Sequence, residues 1–258
     1  MMPTADGQQR HHIEREPGGT TVVAVHAVGL RLAYGDHAVL DLDQLTIPAR
    51  QVTAVLGPNG SGKSSLLDAI AGLLTPKAGS VAVFGRPAGS RRKLAYALQH
   101  TDTDAVVPLT VHEVVRMGRY PHRGMLRRLR AADHDAVNDA LGRLDIRHLA
   151  RRQLSELSGG ERQRSFVAQA LAQQAPLLLL DEPTAALDVP TQQRIAEVMV
   201  DECRRGSTIV HTTHSVAAAE RADWVLLLAG RLVAAGPPAE VLNDERLAEA
   251  YGARMHAE

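Results

Sequence analysis

A chain of 258 residues, 45% of them apolar, has room for a full α/β domain with a small insertion. Its 29 basic and 29 acidic side chains cancel to zero net charge, which gives no reason to expect nucleic acid as a partner. A single cysteine, Cys203, excludes an internal disulfide and any cysteine-built metal cluster; a structural thiol on a helix is expected.

Residues 1–20 mix Pro, Gly, Gln, His and charge with no apolar core, so they read as a disordered tail and not as a leader. His11 and His12 within it are a weak metal site at best. From residue 21 the pattern alternates through Leu30 to Tyr34, turns at Gly35-Asp36 and continues through 38–42, the mark of an antiparallel β layer. Tyr34, one of few aromatics, is either a half-buried strand tyrosine or a platform on which a base stacks.

Residues 51–56 read as a buried strand and 64–74 as a helix, and between them runs Gly57-Pro58-Asn59-Gly60-Ser61-Gly62-Lys63-Ser64-Ser65. This is the phosphate-loop pattern G-x-x-x-x-G-K-[ST] in its required strand–loop–helix setting. Glycines let backbone N–H groups turn inward around phosphates, and the helix directs its positive end at them. Lys63, in a chain whose only other lysines are 77 and 93, adds charge, and the Ser64 hydroxyl suits magnesium. A nucleoside triphosphate is therefore expected here.

Strands are expected over 79–85 and 92–99, the latter with Gln99 at its exit. Residues 110–152 change to helical periodicity rich in arginine, over 111–117 and 131–144, which reads as an inserted helical subdomain. Arginines 116, 119, 123, 127, 128 and 130 read as a solvated helical face, with anionic lipid headgroups as the other reading. His100, His112, His122 and His134 share no helical face and read as scattered surface side chains.

Strand and helix alternation resumes with the apolar run Leu177 to Leu180 ending in Asp181-Glu182, then a helix over 191–203 and strands over 208–212, 224–228 and 232–235. His211 lies inside its strand and reads as a core histidine. Leu157-Ser158-Gly159-Gly160-Glu161-Arg162-Gln163-Arg164 opens a helix expected to run to about 174, and its exposed N–H groups form a second anion-binding end. One triphosphate cannot easily use both ends within one chain, which suggests that the second meets the nucleotide of a partner copy.

Together these motifs resemble the ATP-binding cassette ATPases over residues 22–236. The loop at 57–65 looks like Walker A, 157–163 like the family signature, 177–182 like Walker B, 185–188 like the D-loop, Gln99 like the Q-loop, His214 like the switch histidine and Tyr34 like the adenine-stacking aromatic. The resemblance implies a P-loop NTPase (RecA-like) α/β core with an N-terminal antiparallel β subdomain and an inserted α-helical signature subdomain at about 100–160. The cassette would span 21–238 and a C-terminal helical extension 239–258. It also implies two copies docked head to tail with two ATP molecules between them. Asp181 with Ser64 and Gln99 would hold Mg2+, Glu182 would orient or deprotonate water, His214 would touch the γ-phosphate, and Ser158, Gly159 and Gly160 would clamp the opposite ATP. Ala185 and Ser215 depart from the commonest family pattern, where a small polar residue and an acid are frequent.

The longest aliphatic runs fall far short of the ~20 residues of a membrane span, so a separate integral-membrane permease is implied, with the chain cytoplasmic on the membrane's inner face. Residues 107–122 resemble importer cassettes for metal ions and iron–siderophore complexes, which are served by an extracytoplasmic substrate-binding protein. The expected function is thus the ATPase of an importer for zinc, manganese or chelated iron. A soluble cassette of the iron–sulfur assembly type, acting without a permease, is the alternative.

Overall fold

The computed structural model describes residues 22–89, 94–97, 108–124 and 128–252. Outside them lie the tail 1–20 with its two histidines, the strand exit at Gln99 with His100, and Arg127.

Alternating apolar residues build the first layer. Strands β1 (Val23–Tyr34) and β2 (His37–Pro48) form a hairpin about Gly35-Asp36, and β4 (Ala78–Val83) and β5 (Arg86–Pro87) extend it in the order β2-β1-β4-β5. Leu30, Leu32, Leu40, Leu45 and Ile47 point inward and are essentially fully enclosed.

Strands buried almost throughout, apolar except for threonines and His211, build the second layer, because a parallel sheet is covered on both faces. Strand β3 (Val52–Leu56) lies at its centre, flanked by β8 (Thr208–Thr213) and β9 (Trp224–Leu228). Beyond β8 come β7 (Leu177–Leu180) and β6 (Leu94–Ala97), while β10 (Leu232–Gly236) closes the other edge antiparallel to β9.

Helix α1 (Lys63–Ala71) packs between the layers, its Leu66, Leu67 and Ile70 buried, each stabilising by roughly 1.5–3 kcal/mol. It ends three residues short of the expected 74: Gly72 turns left-handed at φ 72° and the Leu73 amide donates back to the Asp68 carbonyl.

Helices α2 (Val111–Met117), α3 (Tyr120–Arg123), α4 (Ala131–Arg143) and α5 (Gly159–Ala172) form the helical part, packed through Val111, Val115, Val137, Leu141 and Val167. Helix α6 (Val189–Arg204) covers the sheet, α7 (Val216–Ala219) follows β8, and α8 (Pro238–Val241) and α9 (Asp244–Tyr251) complete the described chain. Among the described residues no helix is long and apolar enough to cross a membrane.

The arginine run departs from its expected solvated or lipid-facing character at two positions. Arg119 is buried and Arg123 half-buried, and both guanidinium groups pair with the enclosed carboxylate of Asp133 at 3.0 and 2.7 Å. His122 is likewise engaged, with Nε2 2.7 Å from the Gln173 carbonyl.

Candidate active site

The loop between β3 and α1 is held by its own backbone. The Leu66 amide donates to the Gly62 carbonyl at 2.8 Å and the Gly230 amide, just past β9, to the Ser61 carbonyl at 3.2 Å. Gly57 has no room for a side chain: a Cβ there would lie 2.2 Å from the Leu228 carbonyl oxygen. Lys63 begins α1 and curls back, its ammonium donating to the Gly57 and Pro58 carbonyls at 2.9 Å each. Burial in the loop lowers its pKa, and the charges of Glu182 and Asp181 push it back up.

A cleft of about 650 Å3 opens over this loop, lined by Tyr34, His37, Asn59, Lys63, Ser64 and Glu182 among others. Tyr34 is exposed, and its hydroxyl lies 3.5 Å from Asp68 of α1, which also accepts from Tyr96 of β6 at 3.1 Å. Burial raises the pKa of Asp68, the Tyr96 hydroxyl opposing it.

The carboxylates at the end of β7 diverge. Asp181 is buried and accepts from the Thr212 hydroxyl at 2.5 Å, while the Glu182 amide donates to the same hydroxyl at 2.7 Å. Glu182 takes φ 45°, an uncommon left-handed conformation for a residue with a side chain, and lines the cleft. His214 Nδ1 stands 4.0 Å from the Glu182 carboxylate. Glu182 also lines a smaller recess with Ala185, Ala186, His214 and Ser215. Ser215, where the family often has an acid, caps α7 through the Ala218 amide.

Most candidate residues fall into two groups, with His214 in the adjoining recess and Ser61 buried within the loop. Tyr34, Asn59, Gly60, Gly62, Lys63, Ser64, Ser65 and Glu182 share the cleft, with Gly57 and Pro58 under Lys63 and Asp181 behind. Ser158, Gly159 and Gly160 do not line it; they open α5 on the helical part. Gln99 lies outside the described residues. Sequence reasoning missed Thr212 as the group that ties the Asp181 carboxylate to the Glu182 amide, and a threonine hydroxyl inside a buried strand two residues before His214 was the available signal. It also missed Asp68 and Tyr96, which a helix and a strand bring together across 28 positions.

The family model described as ABC transporter matches residues 40–185, more than half the chain. The chain belongs to this family. It is an ATP-binding cassette ATPase, and its relatives are ATP-binding subunits of transport systems. It is 42% identical to the hemin import ATP-binding protein HmuV of Streptomyces coelicolor, over 91% of this chain and 85% of that one. Identity to the zinc transport system ATP-binding protein TroB of Treponema pallidum is 40%, over 91% and 89%. Among solved structures, cbiO1 of Clostridium perfringens, part of the ABC transporter complex cbiONQ, superposes with a TM-score of 0.74 at 28% identity, covering 88% of this cassette and 93% of that chain.

Proposed function

We propose that this cassette energises an importer for a metal ion, zinc or manganese, or for an iron–siderophore-type chelate, through a separate integral-membrane permease. An extracytoplasmic binding protein would deliver the cargo, and the cassette would sit on the cytoplasmic face of the membrane. The observation that carries the ATPase chemistry is the single cleft in which Tyr34, the phosphate loop and Glu182 converge. The cargo class is supported by the hemin and zinc systems named among the relatives.

In this reading residues 21–238 form the cassette and 239–258 an extension. The Tyr34 ring stacks on adenine, and Lys63 exchanges its two loop carbonyls for the β and γ phosphates. The oxygen donors fit magnesium: Asp181 presents a buried carboxylate whose Oδ1 accepts from Thr212, and the Ser64 hydroxyl opens on the cleft. Ser64 and Asp181 would hold a bound Mg2+, with Gln99 proposed as a further contact, and the ion would supply charge neutralisation for the triphosphate. Glu182 orients or deprotonates the attacking water, and His214, 4.0 Å from that carboxylate, contacts the γ-phosphate. Ser158, Gly159 and Gly160 bind the nucleotide of a second copy docked head to tail.

Uptake assays with zinc, manganese, hemin and a ferric siderophore in cells lacking this chain test the proposal. The expected result is loss of one uptake, restored by the wild type and not by Glu182→Gln. Unchanged uptake of all four, with the chain fractionating free of any multi-span protein, would instead favour the soluble iron–sulfur assembly reading.

A further inference from the structure

Helix α5 carries Ser158 to Gly160 at one end, and its other end is gripped by side chains from a separate segment. Arg119, between α2 and α3, donates from Nη1 to the Ala172 carbonyl at 2.7 Å, the Gln173 carbonyl at 3.3 Å and the Gln174 side-chain oxygen at 3.1 Å. Its Nε reaches the enclosed Asp133 at 3.0 Å, and His122 adds a bond to the Gln173 carbonyl at 2.7 Å. Carbonyls at the end of a helix lack partners within it and carry its negative pole, so a guanidinium fork suits this place.

Asp133 is fixed in turn by Arg123 and by the Arg130 amide at 2.9 Å, so α4 shares the anchor. Burial alone would raise its pKa, yet the Arg130 amide, Arg119 and Arg123 together hold it down at about 2. A Cβ on Gly118 would lie 2.1 Å from the Gln169 carbonyl oxygen, so the α2 backbone lies directly on α5. At the near end, the Val111 amide donates to Arg152 and the Leu154 amide to Leu109, each at 3.0 Å. The segment 109–122 is therefore attached to α5 and its approach at both ends.

Buried ion pairs add little net stability compared with apolar packing; their better-attested effect is to select one arrangement. We infer that Arg119, supported by His122, is a positioning residue for the composite site, fixing one end of α5 so that Ser158 to Gly160 meet the partner's nucleotide at a set angle. Fourteen helical residues carry that constraint over about 21 Å. The inference rests on the head-to-tail reading proposed above.

The test uses the full chain in a Glu182→Gln background, with ATP, measuring the dimer dissociation constant by sedimentation and the monomer's affinity for fluorescent ATP at low protein concentration. Arg119→Lys keeps the charge beside Asp133 and loses the fork, and is expected to weaken the dimer about tenfold with monomer affinity unchanged. His122→Ala removes one bond from a half-buried side chain and carries the test should Arg119→Lys fail to fold. It is expected to weaken the dimer about threefold, and His122→Gln, whose amide can donate to the same carbonyl, to restore it. A lower melting temperature with parental dimer affinity in the folded variants would overturn the inference, leaving a structural clamp only. Absence of any ATP-dependent dimer in the Glu182→Gln parent would overturn the head-to-tail reading, and the inference with it.

Discussion

Two helix N-termini in this chain offer the same field of unpaired N–H groups, and they are finished differently. At α1 the preceding Gly62 provides no side-chain cap, Lys63 is buried, and the loop is stitched to the residues after β9. Its donors are left to a ligand. At α5 the end is exposed and satisfied internally: the Ser158 hydroxyl accepts from the Glu161 amide at 3.3 Å, and the Glu161 carboxylate accepts from the Ser158 amide at 2.8 Å and its hydroxyl at 2.9 Å. Those bonds lower the pKa of Glu161, so the cap stays charged. A cap of this type is worth about 1 kcal/mol, less than the roughly 1.5–3 kcal/mol of a hydrogen bond to a charged group. The first terminus is thus built to hold a phosphate within one chain. The second is satisfied alone, and in the head-to-tail reading proposed above it would exchange its cap only when a second nucleotide is brought to it.

The largest effect that bears on this contrast is expected at Glu182, proposed above to serve turnover and neither helix end. Glu182→Gln should slow hydrolysis by about 10²–10⁴-fold while nucleotide binding persists, seen as an ATP-held dimer in size-exclusion chromatography. Wild-type turnover would remove Glu182 from the catalytic role.

Separating the two ends comes next. Lys63→Ala should cost the monomer about 10²-fold in ATP affinity, a loss of roughly 3 kcal/mol, measured by fluorescent nucleotide titration. Ser158→Arg should leave that titration unchanged and abolish turnover. In a mixture of the two chains at most one composite site survives, so full wild-type activity from the heterodimer would break the contrast.

A pair of glycines probes the same difference sterically. Gly57→Ala drives a Cβ to 2.2 Å from a backbone carbonyl and should cost the fold about 1–3 kcal/mol, visible as a lower unfolding midpoint. Gly159→Ala meets nothing within 4 Å, so its midpoint should stay near that of the wild type. A loss of ATPase activity in that folded variant would then report on the partner's nucleotide.

Much of this was legible in the sequence because the relevant signals are local. The loop from Gly57 to Ser65 specifies its own geometry, and apolar runs such as Leu177 to Leu180 announce buried strands whatever packs on them. Arg119 was not legible: on periodicity it belongs to a solvated charge run, and only the fold brings Asp133 and the end of α5 to it. The left-handed Glu182 was equally hidden, since its conformation is secured by the Thr212 hydroxyl from a neighbouring strand 30 positions on. Helix boundaries shifted by a few residues for a local reason instead, as at Gly72, where a left-handed glycine and its backbone cap set the end before the apolar pattern runs out.

The smallest expected effect distinguishes the beds on which the two termini rest. Strand β3, which feeds the phosphate loop, pairs with β8 so that Ala54 lies opposite His211, and the imidazole there is buried. Burial pushes its pKa from 6.5 down to about 4, with a bond to the Thr212 backbone opposing. Because the folded pKa is depressed, the folded chain resists a proton that the unfolded chain accepts. Stability is therefore complete above pH 6.5 and falls as the pH drops from 6.5 toward 4, by roughly 1 kcal/mol at pH 6. His211→Leu should flatten this slope in denaturant titrations between those limits. Hydrogen exchange at pH 6, corrected for the intrinsic rate, should show more frequent opening at β3 and β8 than at pH 7.5. Amides of α5 that exchange through global unfolding should follow by the same factor and those that exchange through local opening should not; no pH response at β3 would remove His211 as the cause.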